Sequence, residues 1–420
     1  MAITKDQTPD DLNLLQNELV YVVSSTNQAE EQFRYVFDVK LDLGAGAVSV
    51  ARVRQVPNPT GYGIINIAKI IEPYFAATKI STTGTNQEIH RINSTDNNWV
   101  SLNTDTLKLV EVEFGEHYVH SGETDPTTDA DLTNDQIYVI DGVQQFEDGI
   151  NWTFDPYIPN DSAAKFLTNA PNIEYVDSDQ YRTISWLGVA TSQAGTIRVK
   201  FYEADGTVIQ SEDIDISLEG GSDPNVSEDD AMQFFGCGPQ NFEDGDVANL
   251  KPSNNSTLSY YSVRLRNVGN TTNESELKYF YLNESCKYTP YVLAWQNRLG
   301  AWDYYSFQKK SSRSLSIQRS TFQSLPGDYS GSSYSTQTWN RGITNFGIKA
   351  EEEVTVNTDF VTEAEYAWLE ELLTSKEVYH IGSVTRPIVL TDSSYLIKTG
   401  VNDKIMQLSV KFKYSNKRKV

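Results

Sequence analysis

The sequence predicts a mainly β protein, built from several β-sandwich or β-barrel-like modules with a few short helices, and three observations carry that expectation. Aromatic residues make up 11% of the chain, 24 of them tyrosine, against only three methionines; that balance suits strands better than helix bundles. Stretches in which apolar and polar residues alternate recur along the chain, separated by turn-forming residues. At 420 residues the chain also exceeds what one hydrophobic core usually serves, so it should divide into domains. The expected division is 1–150, a β domain with a short helix; 151–290, an inserted β-sandwich; and 291–420, a β domain with one capped amphipathic helix, which docks.

In the first of these, Leu19–Val23 reads as a strand, and Phe33, Tyr35, Phe37, Val39 and Leu41 alternate with polar neighbours as a half-buried one. Gly44-Ala45-Gly46 then turns the chain into Val48, Val50 and Val53, a β-hairpin. Pro57 to Gly63 is a rigid connection. Ile64, Ile67, Ala68 and Ile71 fall at helical spacing, with Pro73 as the stop. Residues 81–98 and 120–136, rich in Thr, Asn, Asp and Ser, read as surface loops on either side of a strand pair around Leu107–Phe114.

In the second, Tyr181–Val189 and Thr196–Tyr202 read as strands, and Asp205-Gly206 before Thr207-Val208-Ile209 is the strongest hairpin signal in the chain. Tyr260–Arg266 and Leu277–Leu282 complete the set. The string Phe146-Glu147-Asp148-Gly149 returns as Phe242-Glu243-Asp244-Gly245, too short to establish a duplication.

In the third, Trp295 to Phe307 reads as strand, Gly-containing turn and strand, with its rings packed inside. The alternative for Trp295, Trp302 and Tyr304 is a platform for sugars or a partner, since amphipathic rings suit either. Thr362-Glu363-Ala364-Glu365 is a capping box opening a helix whose Tyr366, Leu369, Leu372 and Leu373 share a face. Val378–Ile381, Pro387–Leu390 and Lys404–Tyr414 follow as strands, the helix covering one face of their sheet.

The formal net charge of −23 argues against a chain that binds nucleic acid by neutralising phosphates. Charge is unevenly placed: residues 291–420 carry 16 Lys and Arg against 13 Asp and Glu, and the preceding residues 18 against 44. This suits an acidic, solvated body joined to a mildly basic docking end, with Lys417, Arg418 and Lys419 reaching an adjacent chain, and it suits nearly as well a simple difference in surface composition. No apolar run approaches the roughly 20 residues that span a bilayer, and Met1–Asp10 is polar, so the chain is read as soluble and made in a cytosol.

Catalytic signatures are missing. His90, His117, His120 and His380 show no ligand spacing, no nucleophile elbow or phosphate loop occurs, and Cys237 and Cys286 lie in no catalytic motif. The two cysteines read as buried thiols or as one optional disulfide. Asp125, Asp129, Asp131 and Asp135 crowd one loop. Their spacing fails the calcium-loop pattern, so Asp129 and Asp131 are weak metal ligands at best and no cofactor is expected. Glycosidase chemistry depends on a carboxylate separation in space that spacing along the chain does not fix.

The segment Trp295-Gln296-Asn297-Arg298-Leu299-Gly300-Ala301-Trp302-Asp303-Tyr304-Tyr305-Ser306-Phe307, followed by Lys309-Lys310-Ser311, resembles a W-x-N-x-x-G-x-(W/F)-D-x-(Y/W)-x-F block in structural proteins of tailed phages that infect Bacteroidetes, the crAss-like phages among them. Pro57 to Gly63 with Ile67 and Ile71, and Trp368 to Tyr379 with Tyr395, Lys398 and Asn402-Asp403-Lys404, are similar to their N-terminal and C-terminal blocks. The resemblance covers the two ends and leaves 81–285 unmatched. It implies a non-enzymatic virion component of the tail, neck or baseplate kind. Such a component assembles with other virion proteins, as a ring of identical copies, with attachment to a host-surface glycan as an option. Two rivals are a carbohydrate-binding adhesin and a glycan-degrading enzyme of the tailspike type.

Overall fold

Period-two patterning sets nearly every element. In the computed structural model, which describes residues 3–42, 46–75, 88–93, 99–103, 106–129, 133–149, 152–189, 194–216, 230–243, 250–252, 257–283, 287–392 and 406–416, the chain is mainly β, with multiple sheets and only short helices. It divides into two compact units. Unit 1 comprises 1–283, 295–304 and 374–376, and unit 2 comprises 284–294, 305–373 and 377–420.

Unit 1 holds two sandwiches. In the first, strand Arg34–Asp42 pairs antiparallel with Ala47–Gln55, as expected, and on its other side with Leu107–Tyr118. This six-stranded sheet is faced by a three-stranded one, Ile3–Gln7, Val20–Ser25 and Gly63–Asn66. Tyr21 from one meets Phe114 from the other at 5.3 Å between ring centroids. Tyr21, Tyr35, Phe37, Val39, Val110 and Val112 form the shared core.

The second sandwich sets a five-stranded sheet, in the order Ile173–Val176, Lys278–Leu282, Leu258–Asn267, Ala194–Glu203 and Val208–Asp215, against a three-stranded one. The Asp205-Gly206 turn joins the last two strands, Gly206 at φ +91°, where glycine is at ease. Trp186, Ile197, Val199, Phe201, Phe235, Tyr261 and Phe280 form its core.

Three expectations change. Ile64 lies in strand Gly63–Asn66, where register sets Ile65 opposite Tyr21 and leaves Ile64 exposed. Alternation prevails there over helical spacing, and the helix shrinks to Ala68–Ile71. Pro73 then sits in the first turn of the 3₁₀ helix Glu72–Tyr74, a place that needs no donated N–H. Thr133–Gln136, read as loop, opens the strand Thr133–Ile140, because Asn134 and Gln136 face water while Ile137 and Val139 enter the core. The boundary near 150 is crossed by strand Val100–Asn103, which pairs with Met232–Phe235 in the second sandwich. The repeated Phe-Glu-Asp-Gly string has two different settings: Phe146 stands in solvent and Phe242 is buried.

Unit 2 contains most of a seven-stranded sheet, in the order Trp302–Phe307, Tyr291–Gln296, Val378–Ile381, Thr385–Leu390, Ser409–Tyr414, Ile343–Asn357 and Ser312–Gln323. The first two of these run on into unit 1 at their joined ends. The capping box is present: Glu365 N donates to Thr362 Oγ1 at 3.2 Å, and Thr362 N to Glu365 Oε2 at 2.7 Å. Helix Glu363–Thr374 buries Tyr366, Trp368, Leu369 and Leu372, and Trp368 meets Tyr305 edge-on at 6.1 Å.

Candidate functional site

Trp295, Trp302 and Tyr304 are buried, at 0%, 3% and 1% exposure, so none offers a face to a sugar or a partner. They form the inner end of a hairpin that plugs unit 1. Asn297 organises its turn, its Oδ1 accepting from the N–H groups of Leu299 and Ala301, both at 3.0 Å. The Asn297 amide donates to the carbonyl of Leu167 at 2.8 Å. Gly300 has φ +81°, and a Cβ there would press on Ile140 and the Asp141 carbonyl at 2.7 and 2.9 Å. Val143 N donates to the Arg298 carbonyl at 2.9 Å, and the Arg298 guanidinium pairs with Asp148.

Behind the turn lies a buried polar group. The Tyr304 hydroxyl is 2.8 Å from both His90 Nδ1 and Thr183 Oγ1, and Arg182 donates to Glu174 at 2.7 Å and stacks over the Phe280 ring. Burial, aided by Arg91, pushes the His90 imidazole down to about 3. Burial also pushes the free Cys237 thiol up to about 12, against the pull of Arg182. A neutral imidazole and a protonated thiol are the forms that packing favours; a nucleophilic pair needs the opposite shifts.

The acidic loop is dispersed. Asp135 sits on a strand and pairs with Lys5 at 2.6 Å, and Asp129 N donates to the Glu116 carbonyl. Asp131 and Cys286 lie outside the described residues, as do Lys417, Arg418 and Lys419. Among the described residues no group of three His, Cys, Asp or Glu side chains is placed to hold a metal ion. No helix among them is long and apolar enough to cross a membrane.

The feature that the motifs did not announce is in unit 2. Ser312–Gln323 and Ile343–Asn357 pair antiparallel from Ser312↔Thr355 to Gln323↔Ile343, a two-stranded ribbon about 40 Å long at ~3.4 Å per residue. Every residue of the first strand is exposed. Among the described residues, only 353–357 of the second have a further neighbouring strand, Ser409–Tyr414. Alternation and register sort the side chains: Leu315, Ile317 and Arg319 share a face with Glu352, Ala350 and Ile348, while Ser314, Ser316 and Gln318 share the other with Glu353, Glu351 and Lys349. Beyond a bulge, Phe322 and Phe346 meet at 6.2 Å. Leu315, Ile317 and Ile348 are exposed on the first of these faces, while Phe322 falls on the other by the alternation of its strand, with Phe346, 71% exposed, beside it; Trp339 in the distal loop reaches 77%.

A second surface lies on the outer face of the five-stranded sheet in unit 1, where register sets Tyr175, Tyr281, Tyr260 and Tyr202 side by side across four strands. Tyr202–Tyr260 and Tyr260–Tyr281 stack at 4.7 Å, nearly parallel, so edges and hydroxyls face outward and only the end ring, Tyr175 at 62% exposure, is laid open.

No protein-family model matches the chain, and no curated protein does either.

The ribbon was foreshadowed in the sequence by Ser-Arg-Ser-Leu-Ser-Ile, a plain period-two signal. The tyrosine row depends on which strands become neighbours, and no local pattern carries that.

Proposed function

We propose that this chain is a non-enzymatic structural subunit of a tailed-phage virion, of the tail, neck or baseplate kind, assembled in the bacterial cytoplasm from copies of itself and other virion proteins. The observation that carries the assembly role is the ribbon. A two-stranded hairpin is marginal in water by itself, and a contiguous exposed apolar face on a β-ribbon favours association. Ten of the 24 large apolar side chains exposed among the described residues lie between Leu315 and Ile348, which concentrates the unmet burial in one element. The phage setting rests on the resemblance of the Trp295–Phe307 segment. In this chain that segment is a buried plug, a part that a shared architecture preserves and a partner does not touch.

Mass spectrometry of purified virions tests the reading: the chain should appear in a fixed copy number relative to the other structural proteins, and its absence from particles would refute it. The tyrosine row favours a second reading, an adhesin that binds host-surface glycan through the outer face of the five-stranded sheet. Glycan arrays separate the two, since a purely architectural subunit leaves every spot dark, while a Tyr175→Ala-sensitive signal favours the adhesin.

A further inference from the structure

The outer face of the five-stranded sheet in unit 1 joins its tyrosine row to cations that the chain leaves unmatched. Residues 151–283 carry eight Lys and Arg against 20 Asp and Glu. Four of the eight, Arg198, Lys200, Arg264 and Arg266, stand on this one face, because Val199, Val263 and Leu265, which alternate with them, enter the core. Arg198 and Arg264 are directly opposed in register, an arrangement of like charges that costs stability. Asp213 answers Arg198 alone, accepting from its Nε and Nη2 at 2.6 and 2.7 Å. Asp215, on the edge strand, is separated from Arg266 by Thr196 on the strand between. Arg264 and Arg266 are half-buried, and the Nε of each is closed off from water without a hydrogen-bond partner. Among the described residues no acidic side chain pairs with either, or with Lys200. Charge held half out of water and unanswered is costly until an anion meets it.

The geometry points to a carboxylate-bearing glycan as the ligand of this face, its hydroxyls along the tyrosine edges and its carboxylates at Lys200, Arg264 and Arg266. Lys200 is two residues from Tyr202, and Arg264 and Arg266 are four and six from Tyr260, so tyrosines and cations share a strip about 20 Å long at ~3.4 Å per residue. A guanidinium fork matches a carboxylate in shape as well as charge. The rings select among anions. Tyr202, Tyr260 and Tyr281 are stacked on one another, so their faces are spent and cannot take the bases that a single-stranded nucleic acid would stack there. A peptide seats side chains against open apolar area, and here only the edge pair Ile173 and Tyr175 is laid open. What the row does offer is hydroxyls: among the described residues those of Tyr260, Tyr279 and Tyr281 have no hydrogen-bond partner. A hydroxyl-rich polymer carrying acidic groups satisfies both halves of the strip, with the open Tyr175 ring for a sugar face at one end.

This inference rests on the adhesin reading of the face and names the class of its glycan. The test uses the full-length chain in biolayer interferometry against immobilised polygalacturonate, polyglucuronate and polysialate, each beside its methyl ester, which keeps the backbone and removes the charge. At least one acid form should bind, its ester about tenfold more weakly or not at all, and added salt should weaken the acid form alone. Arg264→Gln and Arg266→Gln should each lower affinity for that acid form by about tenfold with the melting temperature unchanged. Lys200→Gln gives the same readout should either arginine variant fail to fold. Acid and ester bound alike, acid binding indifferent to all three substitutions, or neutral glycan bound in a Tyr175→Ala-sensitive way while every acid form stays silent overturns the carboxylate assignment and leaves the adhesin reading standing. No glycan bound at all overturns both. Polyglutamate or single-stranded polythymidylate held as tightly as the best acid glycan, with the same loss in Arg264→Gln, overturns the proposal in favour of a peptide or nucleic-acid ligand.

Discussion

Two hairpins follow one another in the chain and meet opposite fates. Tyr291–Gln296 with Trp302–Phe307 sinks its turn into unit 1, where Trp295 is fully buried. Ser312–Gln323 with Ile343–Asn357 leaves its whole first strand in solvent. Both are rich in large side chains, and in each the two strands are hydrogen-bonded neighbours in one sheet. The difference lies in what surrounds them. The first has a turn stitched by Asn297 and a glycine shaped to its neighbours; the second leaves its apolar side chains exposed, with no other element upon them among the described residues. Alternation therefore tells which side of a strand is apolar, and not whether the chain supplies the cover.

The largest expected effect separates the two at once. Trp295→Ala removes a fully buried ring from the plug and should cost about 3–5 kcal/mol in chemical denaturation of the full chain. Trp339→Ala, which removes the same ring from the exposed distal loop, should change unfolding of the monomer by less than about 0.5 kcal/mol. Equal losses would mean that the ribbon is packed in solution much as the plug is.

A smaller effect sharpens the account of the plug through pH. His90, beneath Tyr304 and Trp302, is held neutral, its folded value at about 3 lying below the ordinary 6.5. The unfolded chain binds this proton near pH 6.5 and the folded one only near 3, so the stabilisation is complete above pH 6.5 and is lost as pH falls toward 3. By pH 4.5 the loss should be on the order of 2 kcal/mol. Arg91 and the Tyr304 hydroxyl, which act on it directly, change no charge in this window. His90→Gln should flatten the pH dependence of the melting temperature between pH 7 and 4.5; a slope unchanged by that substitution would assign the acid sensitivity elsewhere.

Much of the fold was legible from the residues because its elements are local. The Asp205-Gly206 hairpin, the capping box at Thr362 and the strands at Phe37 and Val199 each follow from turn chemistry or alternation within a dozen residues. What was not legible depends on distant neighbours. Strand Val100–Asn103 joins a sheet more than a hundred residues away. Trp295 looks the same in sequence whether it stacks on a sugar or fills a core. The candidate site was the least legible part: Leu315 and Ile317 advertise a strand, yet their importance lies in being left uncovered, and that is a property of every other element in the chain.

The smallest effect is on the monomer and the most informative. Phe346→Ser removes an exposed ring whose chief partner is Phe322, so the isolated chain should keep its melting temperature to within about 1 °C. If the ribbon is an assembly element, hydrogen exchange should show the contrast. The amides of 314–322 point to an open edge and to a single ladder, and in the monomer they should exchange in seconds to minutes, far ahead of the core amides of Val110 or Val263. Association should slow them, and Phe346→Ser should cancel that slowing without touching the core. Ribbon amides already as protected as Val110 in a dilute monomer would show that the hairpin holds itself together. The uncovered face would then be an ordinary surface, and the contrast between the two hairpins would be one of exposure alone.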